Sequence, residues 1–299
     1  MTNKNLAPKG SIVALVTPFN DDESINFDKI TQLVEYHIKH KTDAIAILGT
    51  TGESPTISHI EEEEIVKHVV KLAKGKIPII VGSGSNETKQ AVKSSQRYEE
   101  LGADYLMVLT PYYNRTNEMG MIKHFESIAN NVNTGIIMYN VPARTGCNIS
   151  VKSVDVLSKH KNIIGIKEAS GDFSYVMQIS KYVSKDFALY TGNDDIIVPT
   201  LSVGGTGVVS VWANFMPCEV RDLVHAYLNG EREKSLQIQQ NHLNLINYLF
   251  VETNPIPVKY VMNKLGFGVG PFRMPLYELS KHHQNNMDEL LKNFDIQKL

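Results

Sequence analysis

The stretch Ile163-Ile164-Gly165-Ile166-Lys167-Glu168 carries the reading of this chain. Its apolar run lacks the polar alternation of a half-exposed strand, and a lysine and a glutamate close it. Near-continuous hydrophobic runs of this length suit strands buried on both faces, as in a parallel sheet covered by helices. Working outward in both directions, the same kind of run recurs at 12–18, 43–49, 77–82, 105–110, 135–141, 187–191 and 207–212. Amphipathic stretches with helix-start signals separate these runs. Ser58 precedes the acidic run 61–64, Asn117 precedes Glu118, and Asn26, Asn86 and Ser150 are further expected caps. The acidic run reads as a solvated helix start rather than a metal site.

Eight strand–helix beats predict the α/β class and, within it, a (β/α)8 TIM barrel over residues 1–230. Beyond residue 230 the strand signal stops. Residues 231–250, 257–264 and 275–294 read as helices, so a C-terminal helical extension is expected over 231–299. A length of 299 residues accommodates a barrel, which needs about 250.

Composition narrows the function classes. With 42% hydrophobic and 21% charged residues, the chain can bury a sizeable core. A formal charge of -2 offers no global attraction to nucleic acid or anionic membrane. No run approaches the roughly 20 apolar residues of a membrane span, and the polar start, Met1 to Gly10, lacks a signal-peptide core. A cytoplasmic location is expected, with Cys147 and Cys218 as two reduced thiols. Asn86, Asn114 and Asn148 begin glycosylation-type triplets, which are chance matches in that compartment. The ten histidines form no His-x-x-x-His pair, so zinc chemistry is disfavoured, and neither a metal nor a cofactor is expected. Gly82-Ser83-Gly84 lacks the third glycine of a dinucleotide loop, since Glu87 stands there. Gly204-Gly205-Thr206-Gly207 precedes the last strand, which places it at the barrel's bottom, away from the catalytic face.

Barrel active sites lie at the C-terminal ends of the strands. There the chain places Gly49-Thr50-Thr51-Gly52-Glu53-Ser54, Thr110-Pro111-Tyr112-Tyr113-Asn114, Tyr139-Asn140-Val141-Pro142-Ala143-Arg144, Lys167-Glu168 and Thr191-Gly192-Asn193-Asp194. Lys167 is the sharpest feature. A lysine leaving a buried strand must be paired or shed its proton, and a desolvated neutral amine can attack a carbonyl to form an imine. The competing reading is a strand-tip lysine that points to solvent or pairs with Glu168. Tyr139 is expected at the same height on the neighbouring strand, where a phenol can serve the proton transfers of imine formation. Thr50 and Thr51 can relay a proton or bind a carboxylate, and they can equally be turn residues. The planar fork of Arg144 suits a substrate carboxylate, although a loop salt bridge would explain it as well.

Taken together, these motifs resemble the pyruvate-dependent class I aldolases, the N-acetylneuraminate lyase family, over essentially the whole chain from Gly10. The resemblance implies a lyase in which Lys167 forms the pyruvate imine. It implies a proton relay of Tyr139, Thr50 and Tyr113, with Tyr113 reaching in from a neighbouring subunit. Thr51 and the backbone at Val209 would hold the pyruvate carboxylate, and Gly192 would offer backbone contacts near the second substrate. Arg144 matches the position that binds L-aspartate 4-semialdehyde in the branch that condenses it with pyruvate to 4-hydroxy-tetrahydrodipicolinate, on the diaminopimelate and lysine pathway. The alternative branch cleaves N-acetylneuraminate or a 2-keto-3-deoxy sugar acid and should not need that arginine. A keto-acid-binding barrel without turnover is a reading from another class, against which the intact Lys167, Tyr139 and Thr50 argue. The resemblance further implies a homotetramer built as a dimer of dimers. Ser54, His59, Asn86 and Tyr112 match the family's lysine-inhibition site, whereas Glu62, Gln90 and Pro55 depart from it, so weak or absent lysine inhibition is expected.

Overall fold

The computed structural model describes residues 6–296. The first five residues of the polar start and the last three of the expected extension lie outside that range. Along the chain run β1 (Gly10–Ala14), α1 (Phe27–Lys39), β2 (Ala44–Ile47), α2 (His59–Ala73), β3 (Ile79–Gly82), α3 (Thr88–Glu100) and β4 (Tyr105–Leu109). Then come α4 (Glu118–Ala129), β5 (Gly135–Asn140), α5 (Pro142–Thr145), α6 (Val151–Leu157), β6 (Ile163–Glu168), α7 (Phe173–Ser180), β7 (Ala188–Thr191), α8 (Ile197–Ser202) and β8 (Gly207–Ser210). The series ends with α9 (Pro217–Leu228), α10 (Arg232–Tyr248), α11 (Ile256–Lys264) and α12 (Lys281–Leu291). The eight strands pair in parallel in sequence order, and β1 pairs β8, so the sheet closes into the expected barrel. Among the described residues, no helix is long and apolar enough to cross a membrane.

Two cores follow from side-chain alternation along the strands. Ile12, Ala14, Ala46, Ile80, Met107, Ile137, Tyr139, Ile164, Tyr190 and Val209 fill the barrel interior. Val13, Ile45, Val81, Val108, Met138, Ile166 and Leu189 face the helices. The alternation is regular on β5 but is interrupted on β6. Ile136 pairs with Ile163, whereas Ile137 pairs with Gly165, which leaves Ile164 as an extra residue in a β-bulge. The side chain of Ile164 occupies the space beside Gly135, where a Cβ would come within 2.6 Å of it. Beyond the bulge the phase is reset, so Lys167 pairs with inward-facing Tyr139. Without it, Lys167 would share the outward face of Ile163.

Most helix starts follow the sequence expectation. Asn26, Asn117 and Ser150 cap α1, α4 and α6 through their side chains, and Ser58 forms a reciprocal capping box with Glu61. Asn86 does not cap α3. Glu87 takes that place without a side-chain bond, and its own backbone N–H donates to the Ser85 hydroxyl. The first strand ends at Ala14 rather than Pro18. Beyond it Asn214 replaces the ladder, donating from Nδ2 to Ala14 O at 2.8 Å and accepting from Val16 N at 3.1 Å. The helix expected over 275–294 is confined to Lys281–Leu291. Ahead of it, residues 267–280 run as an irregular segment whose Arg273 guanidinium binds Glu61 and the carbonyls of Glu23 and Thr56.

Candidate active site

Lys167 emerges from β6 into the mouth of the barrel and is only 6% exposed. Its Nζ lies 4.1 Å from the ring centroid of Tyr139, its register partner on β5. That ring is itself buried, so the amine and the ring lie together, largely withdrawn from water. Glu168, the other partner proposed for this lysine, turns to the opposite face. It accepts from Asn140 Nδ2 at 2.6 Å and from Ser170 N at 2.5 Å, and burial pushes its carboxyl above the ordinary range. Among the described residues Lys167 has no ion pair. The solvent and salt-bridge readings of Lys167 are both set aside by this geometry.

Gly192 follows β7 and packs directly against the lysine. A Cβ there would stand 2.8 Å from Lys167 Cε and 2.7 Å from Ala169 Cβ, distances that real Cβ contacts do not reach. Gly192 N donates to Glu168 O at 2.6 Å, which ties the end of β7 to the backbone just after the lysine. The interest of this position therefore lies in its missing side chain, beyond the backbone contacts expected from sequence. Val209 is buried in the barrel interior. The β7–β8 ladder stops at Thr191 and Val208, so on that side the Val209 backbone lies beyond the pairing.

Thr50 and Thr51 stand on the turn after β2, Thr50 half-buried and Thr51 buried. The Thr51 hydroxyl accepts from Asn254 Nδ2 at 3.0 Å. Asn254 O in turn accepts from Arg144 Nη2 at 2.7 Å. One residue of the C-terminal extension thus joins the β2 turn to the short helix α5, on which the exposed Arg144 sits. Tyr113 is different. It is 91% exposed with a left-handed backbone (φ 65°), and a ring so exposed is not packed on the buried Tyr139 of its own chain.

The sequence reading missed Asn254, Glu53 and Lys259. Lys259 and Glu53 form an ion pair at 2.8 Å with both side chains fully buried. A signal was present, because Lys259 interrupts the apolar run Ile256-Pro257-Val258-Lys259-Tyr260-Val261-Met262. A cavity of about 860 Å³ lies elsewhere, between the β1–α1 loop and the segment before α12, lined by Asn20, Glu23, Tyr260, Phe272 and Tyr277. It contains none of the residues around Lys167. Among the described residues no group of three or more His, Cys, Asp or Glu is placed to hold a metal ion.

A buried lysine lies against a phenol ring at the mouth of a parallel barrel, a geometry suited to imine formation. The model of the dihydrodipicolinate synthetase family matches residues 7–294. A 4-hydroxy-tetrahydrodipicolinate synthase from a Thermoanaerobacter species is 47% identical over 293 residues, 97% of this chain and 98% of the relative. The crystal structure of dihydrodipicolinate synthase from Aquifex aeolicus superposes with a TM-score of 0.92 at 39% identity, covering 95% of this chain and 97% of the other. The chloride-inhibited enzyme from Acinetobacter baumannii, solved with pyruvate, gives a TM-score of 0.93 at 34% identity over 96% of this chain and 99% of the other. Family model, sequence and backbone span the same residues, barrel and extension together: the chain belongs to the dihydrodipicolinate synthetase family.

Proposed function

We infer that this chain catalyses the condensation of pyruvate with L-aspartate 4-semialdehyde to 4-hydroxy-tetrahydrodipicolinate, as its relatives' names describe. The observation that carries the chemistry is the buried Lys167 amine against the Tyr139 ring. The free amine of Lys167 adds to C2 of pyruvate, and the carbinolamine loses its hydroxyl as water to give the imine. The hydroxyl of Tyr139 is assigned the delivery and recovery of the protons of these steps, with Thr50 passing them on. Loss of a C3 proton then gives the enamine, whose C3 attacks the aldehyde carbon of the second substrate. The second substrate's amino group finally displaces Lys167 from C2, which closes the ring and frees the enzyme.

Thr51 and the Val209 backbone are assigned to the pyruvate carboxylate, and Gly192 to the neighbourhood of the second substrate. Arg144 is assigned to the semialdehyde carboxylate. Its anchor on Asn254 O fixes one nitrogen of a planar fork that carries further donors. That arginine favours the condensation over the sugar-acid cleavage. The exposed Tyr113 can join the relay only from a second copy of the chain, which supports an assembly of at least two subunits and, with the family resemblance, a dimer of dimers. The division into a barrel over 1–230 and an extension over 231–299 belongs to the same reading, with the extension completing the site through Asn254. A cytoplasmic location goes with it, since Cys147 and Cys218 are both unpaired thiols.

Incubation with pyruvate and borohydride, followed by peptide mass spectrometry, tests the assignment. The reduced adduct is expected on Lys167, and an adduct on another lysine would sink the proposal. Condensation with aspartate semialdehyde should exceed cleavage of N-acetylneuraminate or 2-keto-3-deoxy acids.

A further inference from the structure

An ion pair with both side chains fully buried lies behind the Thr50–Thr51 turn. Glu53 follows Thr50-Thr51-Gly52 directly and adopts a left-handed backbone (φ 56°, ψ 31°), a conformation that disfavours a residue with a long side chain. Something must hold it there. Its Oε1 accepts from Lys259 Nζ at 2.8 Å and its Oε2 from Arg273 N at 3.3 Å, so both partners come from the C-terminal extension. Lys259 spends its other donors on backbone carbonyls, Pro271 O at 2.5 Å and Thr17 O at 3.4 Å. Its Nζ lies 4.6 Å from the centroid of Phe19 and 4.8 Å from that of Phe272, which close the pair off from water. The grip also reaches the turn by a second route, because the Thr17 hydroxyl donates to Gly52 O at 2.6 Å.

Burying two charges is costly, and a pair of apolar residues would stabilise a fold as well or better. What an apolar pair would not do is fix the orientation of a polar turn at the mouth of the barrel. We propose that the Glu53–Lys259 ion pair is a positioning device for the reaction: the extension uses it to hold the Thr50–Thr51 turn in the orientation that imine formation at Lys167 requires. This inference rests on the roles assigned above to Thr50 and Thr51. Neither Glu53 nor Lys259 is asked to touch substrate.

The test is the rate of borohydride-trapped pyruvate adduct on Lys167, alongside thermal unfolding, in E53Q, K259M and the double variant. Each single change strands a buried charge and is expected to unfold at lower temperature. The double variant removes both charges and should recover most of that stability. Positioning predicts that the double variant, though folded, still traps pyruvate roughly tenfold more slowly than the parent, with a raised KM for pyruvate. A purely structural pair predicts that the trapping rate returns with the stability, and that result would overturn the proposal. A parent chain that forms no adduct at all overturns the reading of the site, and this inference with it.

Discussion

Tyr139 and Lys167 are register partners on adjacent strands, and the amine of one lies 4.1 Å from the ring centroid of the other. The relationship depends on a single extra residue. Ile164 bulges out of the β5–β6 ladder, and every side chain after it on β6 changes face. Lys167 then looks into the barrel, while Glu168 looks out toward Asn140 and Ser170. Amine and buried carboxylate are adjacent in sequence and kept apart in space.

Replacing Lys167 by alanine is expected to remove the covalent step without unfolding the barrel. Among the described residues Lys167 has no ion pair, and Glu168 is satisfied elsewhere. Turnover should fall by at least about 10³-fold with the melting temperature little changed, as read by a condensation assay beside a thermal scan.

Gly192→Ala tests the packing around the lysine. The added methyl must displace Lys167 Cε or Ala169. Overpacking of this kind costs about 1–3 kcal/mol, and misplacing the amine should slow adduct formation about tenfold or more. Parent-like trapping rates in the folded variant would show that the lysine is not held there.

Arg144→Ala separates the two substrates. The side chain is exposed and, among the described residues, bonds a backbone carbonyl, Asn254 O, so stability should barely move. The specificity constant for aspartate semialdehyde should fall about 10²-fold, while the rate of pyruvate trapping changes little. Equal losses for both substrates would contradict the assignment.

Asp194 sets an expected pH dependence of stability. It is fully buried, and burial pushes its carboxyl from 3.8 up to about 6, against hydrogen bonds from Val211 N and Trp212 N. The folded chain therefore holds this proton to higher pH than the unfolded chain. Its contribution to stability declines as pH rises from about 4 through about 6, by about 3 kcal/mol in all, and returns on acidification. Asp194→Asn should flatten that part of the profile relative to the parent in denaturant titrations at pH 4.5 and pH 7.

Lysine is expected to inhibit weakly or not at all. Glu62, one of the residues that depart from the inhibitor site, is already occupied by Tyr98 Oη at 2.9 Å and His59 Nδ1 at 2.8 Å. Strong inhibition of the condensation at sub-millimolar lysine would overturn this.

Much of this molecule is legible along the chain because its signals are local. Buried β-branched runs mark the eight strands, and a side-chain oxygen followed by acids marks the starts of α1, α2 and α4. The strand ends then point to Lys167, Tyr139, Thr50, Thr51 and Arg144 as residues of one mouth. Where the reading failed, the deciding contact was distant. Asn214 ended β1 early from 200 residues away, and Arg273 draws the segment before α12 onto the barrel loops.

By itself, then, the sequence determined the order of strands and helices and the chemical identity of the residues at the mouth, since both follow from hydrophobic period and residue type. Tertiary structure decided which way those residues face and what holds them. Period-two alternation is sensitive to one inserted residue, so only the pairing of β6 with β5 turns Lys167 inward. Likewise, nothing local links Glu53 to Lys259, 206 positions later. Their meeting depends on the extension folding back over the barrel, where burial makes each charge require the other.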